Sequence, residues 1–298
     1  MKKVAVFGGA GQLGTELRAE FSARGYHVEG FARSQADITD AGFVEKTLAQ
    51  IGPELVLNAA AYNQVDVAEQ EPVVAFQVNA LAVRNLAVAC RETGAKLVHF
   101  STDYVFDGAA GRAYREEDET HPLGAYAVSK LAGELYARAY LDQPLIIRTC
   151  GVFGPAGAMA RGNFVETMLR LAGKGQPIRV VADFVASPTF APALAARTAD
   201  LVQHGAHGIY HLGGGSAISW FDWAAKIFAA AGLNPPLSPT TAKEFPTPAR
   251  RPKYSALSNA KAQALGVAPM PSLDEAIREY FEARAGRSTG HAEVQARR

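Results

Sequence analysis

The sequence has few of the residues that build disulfide frameworks and metal sites. It has 298 residues but only two cysteines, Cys90 and Cys150, and both lie in apolar segments. We expect both to be buried, reduced thiols, which is typical of a cytoplasmic protein. The chain contains no H-E-x-x-H motif and no cysteine pair at zinc spacing, so we predict no metal site. It also lacks G-x-S-x-G, which argues against a hydrolase of the nucleophile-elbow type.

Strong charge and long apolar runs are missing too. The formal net charge is +1 and charged residues make up 20% of the chain. A field this weak favours neither nucleic acid nor an anionic membrane as a partner. No apolar run approaches the roughly 20 residues that cross a bilayer, and residues 4–7 are too few for the core of an export signal. We therefore expect a cytoplasmic protein with no membrane or nucleic-acid partner.

A glycine-rich turn follows the first apolar stretch. Residues 4–7 are apolar, glycines recur as G-x-x-G-x-x-G at Gly8, Gly11 and Gly14, and residues 15–24 have helical spacing. A strand, a glycine turn and a helix in this order let the backbone approach a pyrophosphate, which the helix N-terminus stabilises. The alternative is a glycine-rich turn without a ligand, but this context favours dinucleotide binding.

Strands that alternate with helices predict an α/β fold. The pattern indicates a doubly wound, parallel-sheet Rossmann domain with a smaller C-terminal substrate-binding lobe. We assign 1–150 and about 190–214 to the Rossmann domain, 151–189 and 215–285 to the lobe, and 286–298 to a disordered tail. The predicted strands are 4–7, 27–31, 55–57, 97–101, 145–148, 178–181 and 209–212; the main helices are 15–24, 73–92, 163–172, 188–204, 220–231, 274–285 and one that starts at 125; 233–252, with six prolines, is predicted to be an extended loop.

A hydroxyl, a phenol and an ammonium group are expected to meet at one edge of this sheet. Thr102 ends a predicted strand, and Tyr126 and Lys130 lie four residues apart on a predicted helix, so they share one face. A lysine cation favours the phenolate, so we expect Lys130 to lower the pKa of Tyr126 toward the working range of a general acid. Taken alone, a Tyr-x-x-x-Lys pair also arises by chance in helices.

Two longer motifs are more specific, S-T-D-Y-V-F-D-G at 101–108 and P-T-P-A-R-R-P at 246–252. D-I-T-D at 37–40, N-A-A-A-Y at 58–62 and V-N-A at 78–80 accompany them. In these segments the chain resembles the extended short-chain dehydrogenase/reductases and, within them, the dTDP-4-dehydrorhamnose reductase family. The resemblance extends over nearly the whole chain, up to about residue 285.

This resemblance implies an NAD(P)H-dependent reductase that acts on the 4-keto group of a nucleoside-diphosphate 4-keto-6-deoxy sugar, most simply dTDP-4-dehydro-L-rhamnose. Tyr126 would protonate the carbonyl oxygen, Lys130 would hold the nicotinamide ribose, and Thr102 would polarise the carbonyl. The expected cofactor-binding residues are Gly8, Gly11, Gln12, Leu13, Gly14, Arg33, Ser34, Asp37, Ile38, Asn58, Ala59, Ala60, Ala61, Tyr62, Asn79, Tyr126 and Lys130. The expected substrate-binding residues are Val65, Thr102, Asp103, Tyr104, Tyr126, Gly151, Asn163, Arg250 and Arg251, the two arginines as partners of the diphosphate.

The end of the second predicted strand bears on the choice of cofactor. NAD-specific Rossmann folds place an acidic residue there, which binds the ribose hydroxyls and repels a 2′-phosphate. Here Glu29 falls too early in the strand, and Arg33 and Ser34 follow it, two residues that can bind that phosphate. We expect a moderate preference for NADPH, with NADH accepted less well. The alternative is an exposed Arg33 and no discrimination.

Departures from the family pattern leave the sugar and the assembly open. Gly151 stands where rhamnose-forming members usually carry tryptophan, and 63–64 reads Asn-Gln where Thr-Ala is common, so sugar identity is in doubt and broader sugar tolerance is expected. Some relatives dimerise through acidic residues and a metal; Glu16 could serve, but Ala193 replaces the expected second carboxylate, so we expect a monomer or weak homodimer.

Two other functions stay open. One is a regulatory subunit, like that of methionine adenosyltransferase, and the other is a nucleotide-sugar epimerase.

Overall fold

A six-stranded parallel sheet forms the centre of the protein, in a computed structural model that describes residues 2–156 and 162–295, with side chains described up to 285. Its strands are β1 (Lys3–Phe7), β2 (His27–Phe31), β3 (Leu55–Asn58), β4 (Lys96–Thr102), β5 (Leu145–Thr149) and β8 (Gly208–His211). Their order across the sheet is β2-β1-β3-β4-β5-β8, and every pairing is parallel. The predicted doubly wound α/β fold is therefore confirmed.

Helices cover both faces of the sheet because its strands are apolar on both sides. On one face, Leu17 and Phe21 of the first helix and Leu194 of the eighth pack against Val4 and Val6. The opposite face buries a second apolar cluster beneath the second, fifth and sixth helices. The helices around this sheet are α1 (Gln12–Ala23), α2 (Ala41–Ile51), α3 (Val65–Ala68), α4 (Pro72–Phe76), α5 (Ala82–Thr93), α6 (Ala125–Tyr140), α8 (Ala191–Gln203) and α10 (Ala260–Ala264).

A π-helical turn, Gln77–Leu81, joins α4 to α5, so that Pro72–Thr93 is one continuous helix. By length and composition this helix is apolar enough to cross a membrane, contrary to our reading of the sequence, but half of the apolar stretch is buried inside the protein. A helix that packs against a sheet needs the same apolar composition. The expected absence of a membrane partner therefore stays a prediction.

A third apolar cluster is formed by residues that follow β5 in the sequence. Phe153, Phe190, Trp223 and Tyr280 are among its buried members. A separate cluster of this kind is what a second lobe would need for its own core. The predicted division into a Rossmann domain and a lobe stays a prediction. The elements there are α7 (Phe164–Ala172), β6 (Ile178–Val181), β7 (Val185–Ala186), β9 (Ile218–Ser219), α9 (Trp220–Ala230), β10 (Leu237–Thr240) and α11 (Leu273–Gln295).

Several segments differ from the sequence prediction, which did not include α3, α10, β7 or β9. The helix α2 was not predicted; the side chain of Asp40 accepts a hydrogen bond from the Phe43 amide and so caps its N-terminus. The proline-rich segment, predicted to be a loop, contains strand β10, which pairs in parallel with β6 and carries Pro239. The helix α11 continues to Gln295, so residues 286–295 are helical rather than a disordered tail; 296–298 lie outside the described residues.

The strand order places the site. β2 lies on one side of β1, while β3, β4, β5 and β8 follow on the other. The order reverses between β1 and β3, and in open parallel sheets ligands bind in the crevice outside the carboxyl ends of the strands at such a point. The glycine turn after β1 and the N-A-A-A-Y segment after β3 both lie at this crevice.

Candidate active site

The glycine turn has a shape that only glycine permits. Gly8 has φ +74°, and a Cβ there would lie 2.6 Å from the backbone nitrogen of Ala60. A Cβ on Gly14 would lie 2.1 Å from the carbonyl oxygen of Gly8. Gly11 caps α1 without a side-chain hydrogen bond, and the first turn of α1 has no acidic residue. The free amides at this helix N-terminus therefore suit a phosphate group, so the residues present fit a dinucleotide.

A cavity of about 710 Å³ opens at this crevice and contains most of the predicted site. Its walls come from the glycine turn, the segments after β2, β3, β4 and β5, helix α6 and the C-terminal elements. The predicted cofactor residues that line it are Gly8, Gly11, Gln12, Leu13, Arg33, Asp37, Ile38, Ala59, Ala60, Ala61, Tyr62, Tyr126 and Lys130. The predicted substrate residues that line it are Val65, Thr102, Asp103, Tyr104, Tyr126, Gly151, Asn163 and Arg251.

Three predicted cofactor residues support the cavity wall instead of lining it. Gly14 packs against the turn, as above. Asn58 is buried, and its Nδ2 lies 3.1 Å from Nδ1 of His99. Asn79 is also buried; it accepts a hydrogen bond from the Tyr62 amide at 2.8 Å and donates one to the Tyr62 carbonyl at 2.9 Å. The two asparagines hold the loop after β3 in place, and Gly14 lets the glycine turn close on itself.

Ser34 and Arg250 are exposed and are not among the residues that line the cavity. Arg251 does line it, and its Nη2 donates to Asp66 Oδ2 at 2.7 Å. Of the two arginines, the structure thus places only Arg251 at the cavity. That either of them binds the diphosphate stays a prediction. Asp66 Oδ1 also accepts the Ala249 amide at 3.2 Å, so the pair ties this segment to α3.

The proposed catalytic group comes together at the end of β4. Tyr126 and Lys130 lie on one face of α6, and Thr102 is the last residue of the strand beside them. Burial is the main reason that the pKa of Tyr126 is raised to about 12; a hydrogen bond with Thr102 acts to lower it, and the charge of Asp103 acts to raise it. The expected lowering by Lys130 is therefore wrong for this structure, since burial dominates. A phenol with this pKa holds its proton at neutral pH, as a general acid must.

Lys130, the third member of this group, is buried. Its Nζ donates to the carbonyl oxygen of Phe100 at 2.5 Å. Burial lowers the Lys130 pKa to about 8, while the carboxylate of Glu134, one turn further along α6, raises it. Lys130 is thus anchored to β4 and directed into the cavity, a position that fits a donor to a ribose hydroxyl.

Asp103 is a buried carboxylate next to Thr102. It accepts hydrogen bonds from the Thr102 hydroxyl at 3.1 Å and from the Cys150 thiol at 3.0 Å. Burial raises the Asp103 pKa to about 6, and hydrogen bonds from Ser255, Cys150 and Thr102 lower it. Cys150 and Ser255 were not predicted as site residues; no sequence signal marks them, because they reach Asp103 from distant parts of the chain.

Sequence reasoning also missed most of the residues that form the C-terminal wall of the cavity. It is formed by β7, the start of α9 and the segment near 252–255, together with Asn163, which was predicted. Asn163 Nδ2 donates to Gln12 Oε1 at 2.9 Å and so joins this wall to the glycine turn. Gly151 lies beside it with φ +49°. The unpredicted lining residues here are Phe184, Val185, Ala186, Trp220, Pro252 and Ser255.

The described residues, those of the cavity included, contain no group of three or more His, Cys, Asp or Glu side chains placed to hold a metal ion. Both cysteines are buried and free, as expected. The expected absence of a metal stays a prediction.

Comparisons with known proteins agree with this geometry. A dTDP-4-dehydrorhamnose reductase of Streptomyces griseus is 38% identical over 290 residues, which cover 95% of this chain and 94% of the relative. The spore coat polysaccharide biosynthesis protein SpsK of Bacillus subtilis is 37% identical over 285 residues, which cover 96% of this chain and 99% of the relative.

A solved structure is similar over the same span. The crystal structure of a dTDP-4-dehydrorhamnose reductase from Bacillus anthracis, in complex with NADP, has a TM-score of 0.90 and 36% sequence identity and covers 94% of this chain and 99% of its own. Residues 1–285 match the family model described as the RmlD substrate binding domain. With that match and these relatives, the chain belongs to the dTDP-4-dehydrorhamnose reductase family, which the motifs at 101–108 and 246–252 had indicated.

Proposed function

We propose that this protein uses NADPH to reduce the 4-keto group of a nucleoside-diphosphate 4-keto-6-deoxy sugar, namely dTDP-4-dehydro-L-rhamnose to dTDP-L-rhamnose. The observation that carries the proposal is that Thr102, Tyr126 and Lys130 share one cavity with the glycine turn. The relatives' names and the NADP-bound structure support the same reaction. The preference for NADPH over NADH and the assignment of individual residues are the finer parts of the proposal.

The residues act on the substrate carbonyl as follows. NADPH, when bound, supplies the hydride. The Tyr126 hydroxyl gives its proton to the carbonyl oxygen as negative charge develops there. Thr102 carries one hydroxyl proton, which here is directed to Asp103 at 3.1 Å, so the hydroxyl must turn toward the carbonyl to polarise it. Lys130, anchored on the Phe100 carbonyl, would hold the nicotinamide ribose.

A direct assay tests the reaction. The enzyme is given dTDP-4-keto-6-deoxy-L-mannose and NADPH, the loss of NADPH absorbance is followed, and the product sugar is identified. We expect one NADPH consumed for each dTDP-L-rhamnose formed. An epimerase would convert the sugar without consuming added reductant. A regulatory subunit would turn over no nucleotide sugar and would bind a partner stoichiometrically. Either result would overturn the proposal.

Replacing Arg33 with alanine is expected to weaken NADPH binding by about 1.5–3 kcal/mol, the usual contribution of a hydrogen bond to a charged group. Arg33 lines the cavity, its side chain is 75% exposed, and its Nε lies 3.9 Å from Asp37 Oδ2, so it is free to turn toward a phosphate. Titration of wild type and Arg33→Ala with both cofactors gives the four Kd values. NADH should bind both proteins almost equally. An equal loss for both cofactors, or a wild type that prefers NADH, would contradict the assignment.

The two neighbouring arginines offer a matched test of the diphosphate site. Arg251→Ala should raise the KM for the nucleotide sugar roughly tenfold or more, since a guanidinium binds a phosphate with paired donors. Arg250→Ala should leave it unchanged, because Arg250 is exposed and outside the cavity. Asp66→Asn tests whether Arg251 acts through its charge or only by holding its segment to α3. This variant breaks the same ion pair but keeps the Arg251 cation, so the KM should not rise. If Asp66→Asn raised the KM as much as Arg251→Ala does, the ion pair would serve only to hold the segment around Arg251 against α3.

The remaining parts of the proposal concern location and assembly. We propose a cytoplasmic monomer or weak homodimer without a nucleic-acid or membrane partner. The low net charge and the two buried, free cysteines support it. Sedimentation of the purified protein over a range of concentrations measures the assembly directly.

A further inference from the structure

Helix α6, which carries the proposed general acid, begins without a capping side chain of its own. Its N-cap is Gly124, which has no side chain, and its first turn contains no acidic residue. The helices α2, α7 and α9 begin instead after Asp40, Asn163 and Ser219, whose side chains each accept an amide of their own first turn. The free amides at the start of a helix need a partner, and a helix end that lacks one frays.

The proposed general acid lies in this first turn. The helix begins at Ala125, so Tyr126 is its second residue. The carbonyl side of Tyr126 is held, because the Ser129 hydroxyl donates to its carbonyl oxygen at 2.7 Å and accepts from Asn79 at 2.9 Å. A helix frays from its end, so the position of the phenol depends on what holds the amide side of the turn.

Glu69 supplies the missing cap from a different part of the chain. Its Oε1 accepts a hydrogen bond from the Ala125 amide at 2.8 Å. The lack of a side chain at Gly124 makes room for it, because a Cβ there would collide with the same oxygen. A carboxylate at a helix N-terminus also interacts favourably with the helix dipole. Glu69 is not among the residues that line the cavity, so it can influence the reaction only through α6.

Glu69 directly follows the short helix α3, which is fixed at two points. Ala68 is fully buried, and Asp66 forms the 2.7 Å ion pair with Arg251. The same short helix therefore connects the segment that carries Arg251 to the N-terminus of α6. A cap that is held in this way can restrain the first turn of α6, because its own position is set by packing and by an ion pair.

We propose that Glu69 positions the general acid by capping α6 in place of Gly124. This inference rests on the proposed role of Tyr126 and adds a residue that acts on it without touching substrate or cofactor. Loss of the cap frees the first turn of α6, so the phenol spends less time within reach of the carbonyl oxygen. The second turn, in which Lys130 is hydrogen-bonded to the Phe100 carbonyl, stays in place, so NADPH binding should be spared.

Steady-state kinetics of matched variants test the cap. Glu69→Ala should lower kcat about 2- to 30-fold, the factor that corresponds to one helix N-cap, and should leave the KM for both substrates nearly unchanged. Glu69→Gln keeps an acceptor oxygen and should stay within about twofold of wild type. The control is Glu92→Ala, which removes an exposed carboxylate outside the cavity and should behave as wild type.

A second substitution can move the cap into α6 itself. The backbone of Gly124 is extended, with φ −157° and ψ 174°, a conformation that a serine cap also adopts. Adding Gly124→Ser to Glu69→Ala should therefore restore kcat, since the new hydroxyl can accept an amide of the first turn. A kcat that stays low in this double variant, although its first turn is as well protected as in wild type, would mean that Glu69 acts by another route, and it would overturn the inference.

Hydrogen exchange of the full-length protein measures that protection without turnover. The peptide that covers the start of α6 should exchange faster in Glu69→Ala and return to the wild-type rate when Gly124→Ser is added. Either an unchanged kcat or an unchanged exchange rate in Glu69→Ala would overturn the inference. A wild type that reduces no nucleotide sugar would overturn the proposed reaction, while the exchange rates would still test the cap.

Discussion

Replacing Tyr126 with phenylalanine is expected to lower the turnover number about 10²–10⁴-fold, the usual contribution of a positioned general acid. The substitution removes the hydroxyl and keeps the ring. That ring packs edge-on against Tyr104, with centroids 6.0 Å apart at 86°, and this contact should survive. Fold and NADPH affinity should therefore stay close to wild type, so that the loss falls on the chemical step.

Single-turnover measurement at saturating NADPH isolates this step, and a separate titration gives the Kd for NADPH. The matched control is Tyr136→Phe, because Tyr136 lies on the same helix but outside the cavity. It should turn over like wild type. A Tyr126→Phe enzyme with a near wild-type rate would mean that another group supplies the proton, and Asp103, with its pKa raised to about 6 by burial, would be the first to examine.

The parts of the site that are local in sequence could be predicted. The turn at Gly8–Gly14 follows from glycine spacing between a strand and a helix, and Tyr126 and Lys130 share a face because they are one helical turn apart. Thr102 could be placed at the edge of the sheet because it ends an apolar strand. Each inference needed only neighbours within about seven residues.

The parts that depend on distant contacts could not be predicted. Burial, which decides the pKa of Tyr126, is a property of the assembled cavity and not of the Tyr-x-x-x-Lys pattern. The distinction between Arg250 and Arg251 depends on Asp66, which is 185 positions away from Arg251. Trp220 was predicted only as the start of an amphipathic helix, since nothing in the sequence indicates that β7 and β9 turn its ring toward the cavity.

The largest effect on stability is expected behind this site, at a buried ion pair that the sequence did not reveal. Arg148 Nη2 lies 2.8 Å from Glu134 Oε2, and its Nε lies 3.0 Å from Glu134 Oε1. The two side chains are only 3% and 2% exposed. Ser101 of β4 donates to the same carboxylate, and the Arg148 guanidinium lies 5.2 Å from the ring centre of Phe106. The pair thus joins α6 to both β4 and β5, directly behind the catalytic group.

Glu134→Ala is expected to lower the free energy of unfolding by about 3–5 kcal/mol, because it leaves a buried arginine without a counter-charge. Urea unfolding of wild type and variant measures it. Glu244→Ala is the matched control; its pair with Arg179 has a similar distance, 2.7 Å, but the two side chains are 55% and 57% exposed, so the cost should be about 1 kcal/mol or less.

A double variant distinguishes two causes of the lost stability, the unpaired buried charge of Arg148 and the loss of packing. Glu134→Leu combined with Arg148→Met removes both charges and keeps most of the buried volume, so it should recover much of the stability lost in Glu134→Ala. If the double variant were as unstable as Glu134→Ala, packing would account for the loss. If Glu134→Ala itself stayed within about 1 kcal/mol of wild type, water would reach Arg148 in the variant, and the pair would serve mainly to position Lys130 one turn away on the same helix.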